Sequence, residues 1–512
     1  MTTLRNNAIA NVLGQAWRAI MALAFVPILI RELGPESYGL IGIYASLQSW
    51  LILVDMGLRP TLVREMARMK AGDHTPDSIR DLLRSAEVIA VLSCFCVFLG
   101  FWASSPWLAM HWLNASALPP ATVASSLAIM GGVAALQVIE SLYSGSIGGT
   151  ERQVIQNALS SFTALLRGAG GAAVVVYGSS DVRSFFEWQG FVAAVGVVIT
   201  GITLYAILPT GTRRAHFSLA ALRKVKAYAG NMALITILVL VLTQVDKIIL
   251  AKLLPLEIFG HYILATGVAS ALLYLSSPII AAYFPRFVEF ANGKFANAEE
   301  ARAYHTSSQI VTVILGSIGI TLCVLAIPVL RVWTGDDILA TDVGPIVSLL
   351  ALGYLCNGLM GIPYHLQLAH GWTSLTIKVN FCAAIVLTIT LLYFVPEYGV
   401  KAAAINWCIL NLGYLTVAVW IMHERLLPKE KWKWYVHDTM LPLAGMFATC
   451  LLVTELIPNK LNRAEELFGI LFVSVATFSA GVLLCPIVRT FSKDFLVGRF
   501  SKLLYPSTWT RH

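Results

Sequence analysis

Apolar runs of about twenty residues recur from one end of the chain to the other, and a run of that length is what a helix needs to cross the hydrocarbon of a bilayer. They fall near 8–30, 38–56, 86–106, 121–143, 155–177, 186–208, 231–253, 260–283, 307–330, 346–367, 379–396, 402–422, 438–457 and 466–488. The prediction is an all-α integral membrane protein of about 14 transmembrane helices. Such spans use about 280 positions, which matches a chain of 512 residues that is 57% hydrophobic and 12% charged. A β-barrel is excluded because the runs are continuous, and barrel strands alternate over about ten residues. Helices also satisfy their own backbone hydrogen bonds in lipid. The first run contains Arg18 and ends without a small-residue cleavage site, so it reads as a retained span and not a signal peptide.

The net charge of +8 could point to nucleic acid. In a chain this apolar it reflects basic cytoplasmic loops instead, and no nucleic-acid partner is expected. With the N-terminus inside, roughly 26 Lys and Arg fall on cytoplasmic segments and about seven outside, which predicts both termini in the cytoplasm. The basic inner loops suit anionic lipid headgroups. The eight cysteines lie inside apolar stretches and read as small buried hydrophobes. No connection exceeds about 30 residues, which leaves no room for a catalytic domain. Phosphate-loop, zinc-pair and nucleophile-elbow motifs are absent.

One internal repeat is visible. Leu33-Gly34-Pro35-Glu36-Ser37-Tyr38-Gly39, an apolar span and Arg64 are echoed by Leu253-Leu254-Pro255-Leu256-Glu257-Ile258-Phe259-Gly260, another span and Arg286. Glycine and arginine are 25 residues apart in one copy and 26 in the other. Six spans separate the copies, so span 7 opens a second, parallel copy of the unit opened by span 1.

Ionisable groups at membrane depth are costly and normally face a bundle interior or an aqueous cavity. Arg18 shares a helical stripe with Asn7, Asn11 and Gln15. Arg167 follows Ser160 and Thr163; Lys247 follows Thr236 and Thr243 and adjoins Gln244 and Asp246. Tyr262, Thr266, Ser270, Tyr274 and Ser277 make an uncharged stripe before Pro278, and Asn357 lies in span 10 near His365. Buried arginines suit phosphate through charge-assisted hydrogen bonds, while hydroxyls and amides suit sugars. The same cations could instead pair with Asp55, Glu140 or Asp246 to hold helices in register. Glu140 and Asp246 are also the candidate proton carriers, Glu140 being placed towards the inner end of span 4 where it could snorkel.

The run Leu33 to Gly39, followed by Asp55-Met56-Gly57-Leu58 and Arg64-Glu65-Met66-Ala67-Arg68, resembles the N-terminal signature of polysaccharide biosynthesis flippases. These include the O-antigen (Wzx-type) flippases of the multidrug/oligosaccharidyl-lipid/polysaccharide exporter superfamily. Gln244-Val245-Asp246-Lys247 with Gly260-His261-Tyr262 resembles the start of that family's second lobe. The resemblance implies two six-helix lobes around a central cavity, here 1–228 and 229–424, with spans 13 and 14 and a basic tail in 425–512. It implies alternating access and movement of undecaprenyl-diphosphate-linked oligosaccharide to the periplasmic leaflet of the bacterial inner membrane. Other membrane proteins of polysaccharide assembly are further partners it implies. Asp55, Gly57, Arg64 and Arg68 match the motif around the first inner loop and are expected to gate it. Neither cofactor nor metal is expected; without an ATPase motif, a gradient of H+ or Na+ or the membrane potential must supply the energy. A drug or metabolite antiporter of the same superfamily would share the architecture but favour cavity carboxylates. A glycan polymerase or ligase would need a large outer loop, and the only carboxylate pair there is Asp336-Asp337.

Overall fold

The computed structural model describes residues 2–54, 57–70, 72–219, 237, 239–291, 293, 297–458 and 461–490. The described chain is helical: α1 (Thr2–Ala24), α2 (Val26–Val54), α3 (Leu58–Lys70), α4 (Pro76–His111), α5 (Pro120–Gly149), α6 (Gln153–Gly178), α7 (Val182–Ile207), α8 (239–253), α9 (Leu256–Ser270), α10 (Leu272–Ala291), α11 (Asn297–Val324), α12 (Ala326–Thr334), α13 (Asp337–Ala369), α14 (Thr373–Leu426), α15 (Lys431–Glu455) and α16 (Arg463–Leu484). It divides into two compact units, residues 1–263 with 391–400 and residues 264–390 with 401–512. The lobe boundary expected at 228 falls in 220–236, outside the described residues, and the one expected after 424 falls in the last turn of α14.

Among the described residues ten helices are long and apolar enough to cross a membrane, or eleven when α1 and α2, bent by 44°, count as one span. This is fewer than the fourteen expected, and one reason is that α14 is a hairpin. Tyr414 Oη donates to Asn380 Oδ1 at 3.0 Å and Asn406 Nδ2 to Thr390 Oγ1 at 2.7 Å. A straight helix would hold those pairs about 51 Å and about 24 Å apart. The chain folds back at Gly399 (φ 58°), a left-handed conformation open to glycine, just after Pro396. Gly34 (φ 82°) before Pro35 makes a similar break inside α2.

In the first unit α5 is the packing centre. A Cβ on Gly131 would lie 2.5 Å from Phe101 Cβ, and one on Gly149 2.5 Å from the Val63 carbonyl, so α4 and α3 lie directly on its backbone. The two repeat copies also meet within this unit. A Cβ on Gly39 would sit 2.3 Å from the Leu256 carbonyl, and one on Gly260 2.6 Å from that of Pro35. The shared glycine of the repeat is therefore a close backbone crossing. Beside it, the buried Glu36 carboxylate accepts from the backbone N–H groups of Ser116, Ala117 and Leu118 at 2.5–3.1 Å.

In the second unit α11 and α13 are the most buried spans, while α16 exposes Phe468, Leu471 and Phe472 as a lipid-facing helix should. All eight cysteines are free; Cys94, Cys356, Cys450 and Cys485 are buried, but Cys96 and Cys382 are exposed on helix faces, contrary to expectation. In a membrane an apolar side chain can be buried in lipid and not in protein, which hydropathy does not distinguish.

Candidate functional site

The polar stripe of α1 faces α6. Asn7 Nδ2 donates to the Glu151 carbonyl (2.8 Å), Asn11 Nδ2 to Gln153 Oε1 (2.5 Å), and Asn157 Nδ2 to Asn11 Oδ1 (2.6 Å). Two turns on, Arg18 Nη1 donates to Asn157 Oδ1 at 3.1 Å. Gly14 lies opposite Asn157 and leaves it room: a Cβ there would be 2.4 Å from the amide oxygen. Gln15 lies half-buried on the same helix. Arg18 is thus held by an amide of α6, a partner that spacing on α1 alone could not supply.

Arg167 lies further along α6, in a π-helical turn, Leu166–Gly170. Its Nη2 donates to Glu140 Oε2 of α5, and the two side chains are 26% and 13% exposed. Gly196 of α7 makes space for the carboxylate: a Cβ there would lie 2.7 Å from Glu140 Cδ. One turn before Glu140, Gln137 Nε2 donates to Tyr44 Oη (2.6 Å) and Gln137 Oε1 accepts from Gln48 Nε2 (2.8 Å). Arg167 Nε is buried without a hydrogen-bond partner. An unfilled donor on a guanidinium is expensive in a low-dielectric setting, so this pair is electrically balanced yet incompletely hydrogen-bonded. Glu140 is thus held between helices by the charge on Arg167.

Lys247 is more closed. Its Nζ donates to the Thr243 carbonyl (2.8 Å) and to Asp246 Oδ1 (3.2 Å), and Asp246 Oδ2 accepts from Tyr262 Oη (2.7 Å), with Tyr262 itself 1% exposed. The stripe begun by Tyr262 does not continue as one face, because helix regularity lapses at Ala271 between α9 and α10. Thr266 Oγ1 is buried without a partner, Ser270 Oγ donates to the Gly267 carbonyl, and Tyr274 lies exposed. Asn357 Nδ2 donates to Asn411 Oδ1 (2.6 Å), whose own Nδ2 reaches the Trp407 carbonyl, so Asn357 ties α13 to α14.

Of the expected gating residues, Asp55 lies outside the described residues. Gly57 (φ 74°) immediately precedes α3 and its carbonyl accepts from Thr61 Oγ1 at 2.6 Å. Arg64 and Arg68 flank a residue the sequence reading passed over: Glu65, 2% exposed, lies 3.7 Å from Arg64, 3.1 Å from Arg68 and 2.8 Å from His74 Nε2. Arg68 also reaches Asp73 at 3.1 Å, so the loop is fastened around Glu65. Among the described residues no three His, Cys, Asp or Glu side chains gather as a metal site.

Residues 4–291 match the family described as Polysaccharide biosynthesis protein. The chain is 24% identical over 404 residues to a Shigella flexneri protein named "Putative O-antigen transporter", covering 79% of this chain and 94% of that one. In fold it is similar to the lipid II flippase MurJ in an inward closed conformation (TM-score 0.67, 12% identity, 96% of this chain and 99% of that one). A multidrug resistance MATE family transporter of the MOP superfamily in an inward-facing conformation gives a TM-score of 0.65 at 14% identity, over 81% and 96%. The chain belongs to the polysaccharide biosynthesis protein family and is a multi-pass membrane protein with the fold of the MOP-superfamily flippases and exporters.

Proposed function

We propose that the chain carries undecaprenyl-diphosphate-linked oligosaccharide, an O-antigen unit or that of another surface polysaccharide, from the inner to the outer leaflet of the bacterial cytoplasmic membrane. It acts by transport and not by catalysis, through alternating access, with both termini in the cytoplasm. The observation that carries the reading is Arg167: a guanidinium at membrane depth, balanced by one carboxylate and keeping Nε–H unfilled. A diphosphate can take that donor and displace Glu140, because phosphate oxygens accept bidentate, charge-assisted hydrogen bonds. Arg18 and Lys247 of the first unit supply further positive charge and Gln15 an amide, while Asn11, Tyr262 and Asn357 are spent on bonds between helices and Thr266, Ser270 and Tyr274 lie in the second unit. Without such a site, moving the headgroup through hydrocarbon costs several kcal/mol for each charge.

The same pair offers coupling. Protonation of Glu140 and binding of the diphosphate by Arg167 favour one another, because each breaks the same ion pair. Asp246, held by Lys247 and Tyr262, is a second proton candidate. The likeness to a multidrug exporter invites a cation-antiport reading, but Glu140 and Asp246 are already engaged by cations of the chain. In cells, Arg167→Glu should abolish surface glycan while the protein stays in the membrane at its usual level. Unchanged surface glycan would sink the reading.

A further inference from the structure

The turn that presents Arg167 is abnormal in a way the sequence motif explains. Arg167-Gly168-Ala169-Gly170-Gly171 sits in mid-membrane, where three glycines weaken an α-helix. The helix here widens into the π-helical turn Leu166–Gly170, and α7, together with Phe25 between α1 and α2, fills the space the glycines leave. A Cβ on Gly170 would fall 2.4 Å from the Trp188 ring, one on Gly171 2.9 Å from Phe185, and one on Gly168 2.8 Å from Phe25. Two side chains of α7 then grip the widened backbone. Trp188 Nε1 donates to the Leu166 carbonyl at 2.8 Å, and Gln189 Nε2 donates to the Arg167 carbonyl at 3.1 Å. Gln189 is 4% exposed, so its amide has little else to bond.

The register matters for the charge. In an unbroken α-helix a side chain advances about 100° per residue, whereas a π turn adds a residue and rotates everything beyond it. Arg167 lies inside the widened turn, so the backbone that carries its guanidinium is the one the two donors from α7 hold, at the carbonyls of Leu166 and Arg167. Glu140 takes Nη2 of the guanidinium, and its neighbour Nε stays buried and unpartnered.

We propose that Trp188 and Gln189 are positioning residues: they hold the α6 turn wide so that Arg167 keeps its unpartnered Nε–H directed to where the diphosphate of the substrate displaces Glu140. The claim rests on the reading of Arg167 as the headgroup site. Its chemistry is specific, since an N–H pair on adjacent nitrogens suits an oxyanion with two oxygens to offer, and a single misdirected guanidinium loses that geometry.

The test uses the full-length protein in liposomes containing fluorescent undecaprenyl-diphosphate oligosaccharide at graded densities, scored for half-saturating density and maximal rate separately. The variants are Arg167→Gln, Trp188→Phe with Gln189→Met, and Gly170→Ala, which drives a methyl into the indole position. We expect Arg167→Gln to stop flipping. Both α7 and glycine variants should raise the half-saturating density about tenfold at a nearly unchanged maximal rate, because the charge remains but is misdirected. Gln189→His, which keeps an N–H donor near the carbonyl, should recover part of that shift; a purely structural role would lower the rate in proportion to folded protein, measured by thermal melting. If Arg167→Gln stops flipping while the Trp188/Gln189 and Gly170 variants saturate as wild type, the positioning claim is wrong and the headgroup site stands. If Arg167→Gln flips normally, both fall.

Discussion

Two buried ionic clusters, one in each unit, are built from similar residues and are completed differently. In the first unit Arg167 meets Glu140 and keeps Nε–H unfilled. In the second, His305, 1% exposed, lies between two carboxylates, its Nδ1 facing Asp438 Oδ2 and its Nε2 facing Glu430 Oε2 at 2.8 Å. The other Asp438 oxygen accepts from Gln309 Nε2 (2.7 Å), and Gln309 Oε1 accepts from the Ile487 N–H (3.0 Å). Tyr304 meets His423 Nε2 at 3.0 Å beside it, and Trp434 Nε1 donates to Ser308 Oγ. Burial pushes the Glu430 carboxyl up, but the hydrogen bond with His305 and the charge of Lys433 outweigh it and hold Glu430 below the usual carboxylate range. In the second cluster both nitrogens of His305 and both oxygens of Asp438 are bonded, which fastens α11 to α15; a cluster with a spare charged donor can accept a ligand.

That contrast breaks most sharply at Asp438. Asp438→Ala leaves His305 and Gln309 without their acceptor in a fully buried place, and should cost about 3–5 kcal/mol. Thermal melting and yield in the membrane would show it; a variant as stable as wild type would mean that the clamp holds nothing. Next comes the glycine crossing. Gly260→Leu must push α9 off the Pro35 carbonyl, so flipping should fall by about tenfold or more even where the protein is retained. A wild-type rate would remove that contact from the working cycle.

Glu140→Gln should have a subtler effect. Arg167 then has a neutral partner and the diphosphate still binds, so flipping continues while its stimulation by a pH gradient disappears. Persisting stimulation would transfer the coupling role to Asp246 or elsewhere. The smallest effect is at Glu430. Its lowered pKa makes its contribution present above the ordinary carboxylate range and lost as pH falls through the lowered value. Melting between pH 7 and pH 4 should therefore drop slightly less in Glu430→Gln than in wild type, and an equal drop would place the acid sensitivity elsewhere.

Much of this was legible in the sequence because membrane helices announce themselves by length and hydropathy. The α14 hairpin was legible as two runs, 379–396 and 402–422, and the seam between α1 and α6 as Asn and Arg at intervals of three and four. Glu140 was legible as one of several partners for a cation, though not as the partner of Arg167, since α5 and α6 meet only in the fold. The π turn was hidden for a physical reason: spacing arguments assume 3.6 residues per turn, and an inserted residue defeats them at the point of interest. The stripe from Tyr262 to Tyr274 failed in the same way, where helix regularity lapses at Ala271. His305 and Asp438 are 133 residues apart and sit at the ends of spans, where a polar residue reads as solvated loop.

The most direct measurement is flipping itself, with purified protein in liposomes carrying fluorescent undecaprenyl-diphosphate oligosaccharide and an external quencher, with and without a pH gradient. Gradient-stimulated exposure to the quencher, lost in Arg167→Ala at an unchanged melting temperature, is the predicted result. Liposomes in which wild type and Arg167→Ala expose the lipid equally, or in which only small organic cations move, would contradict it.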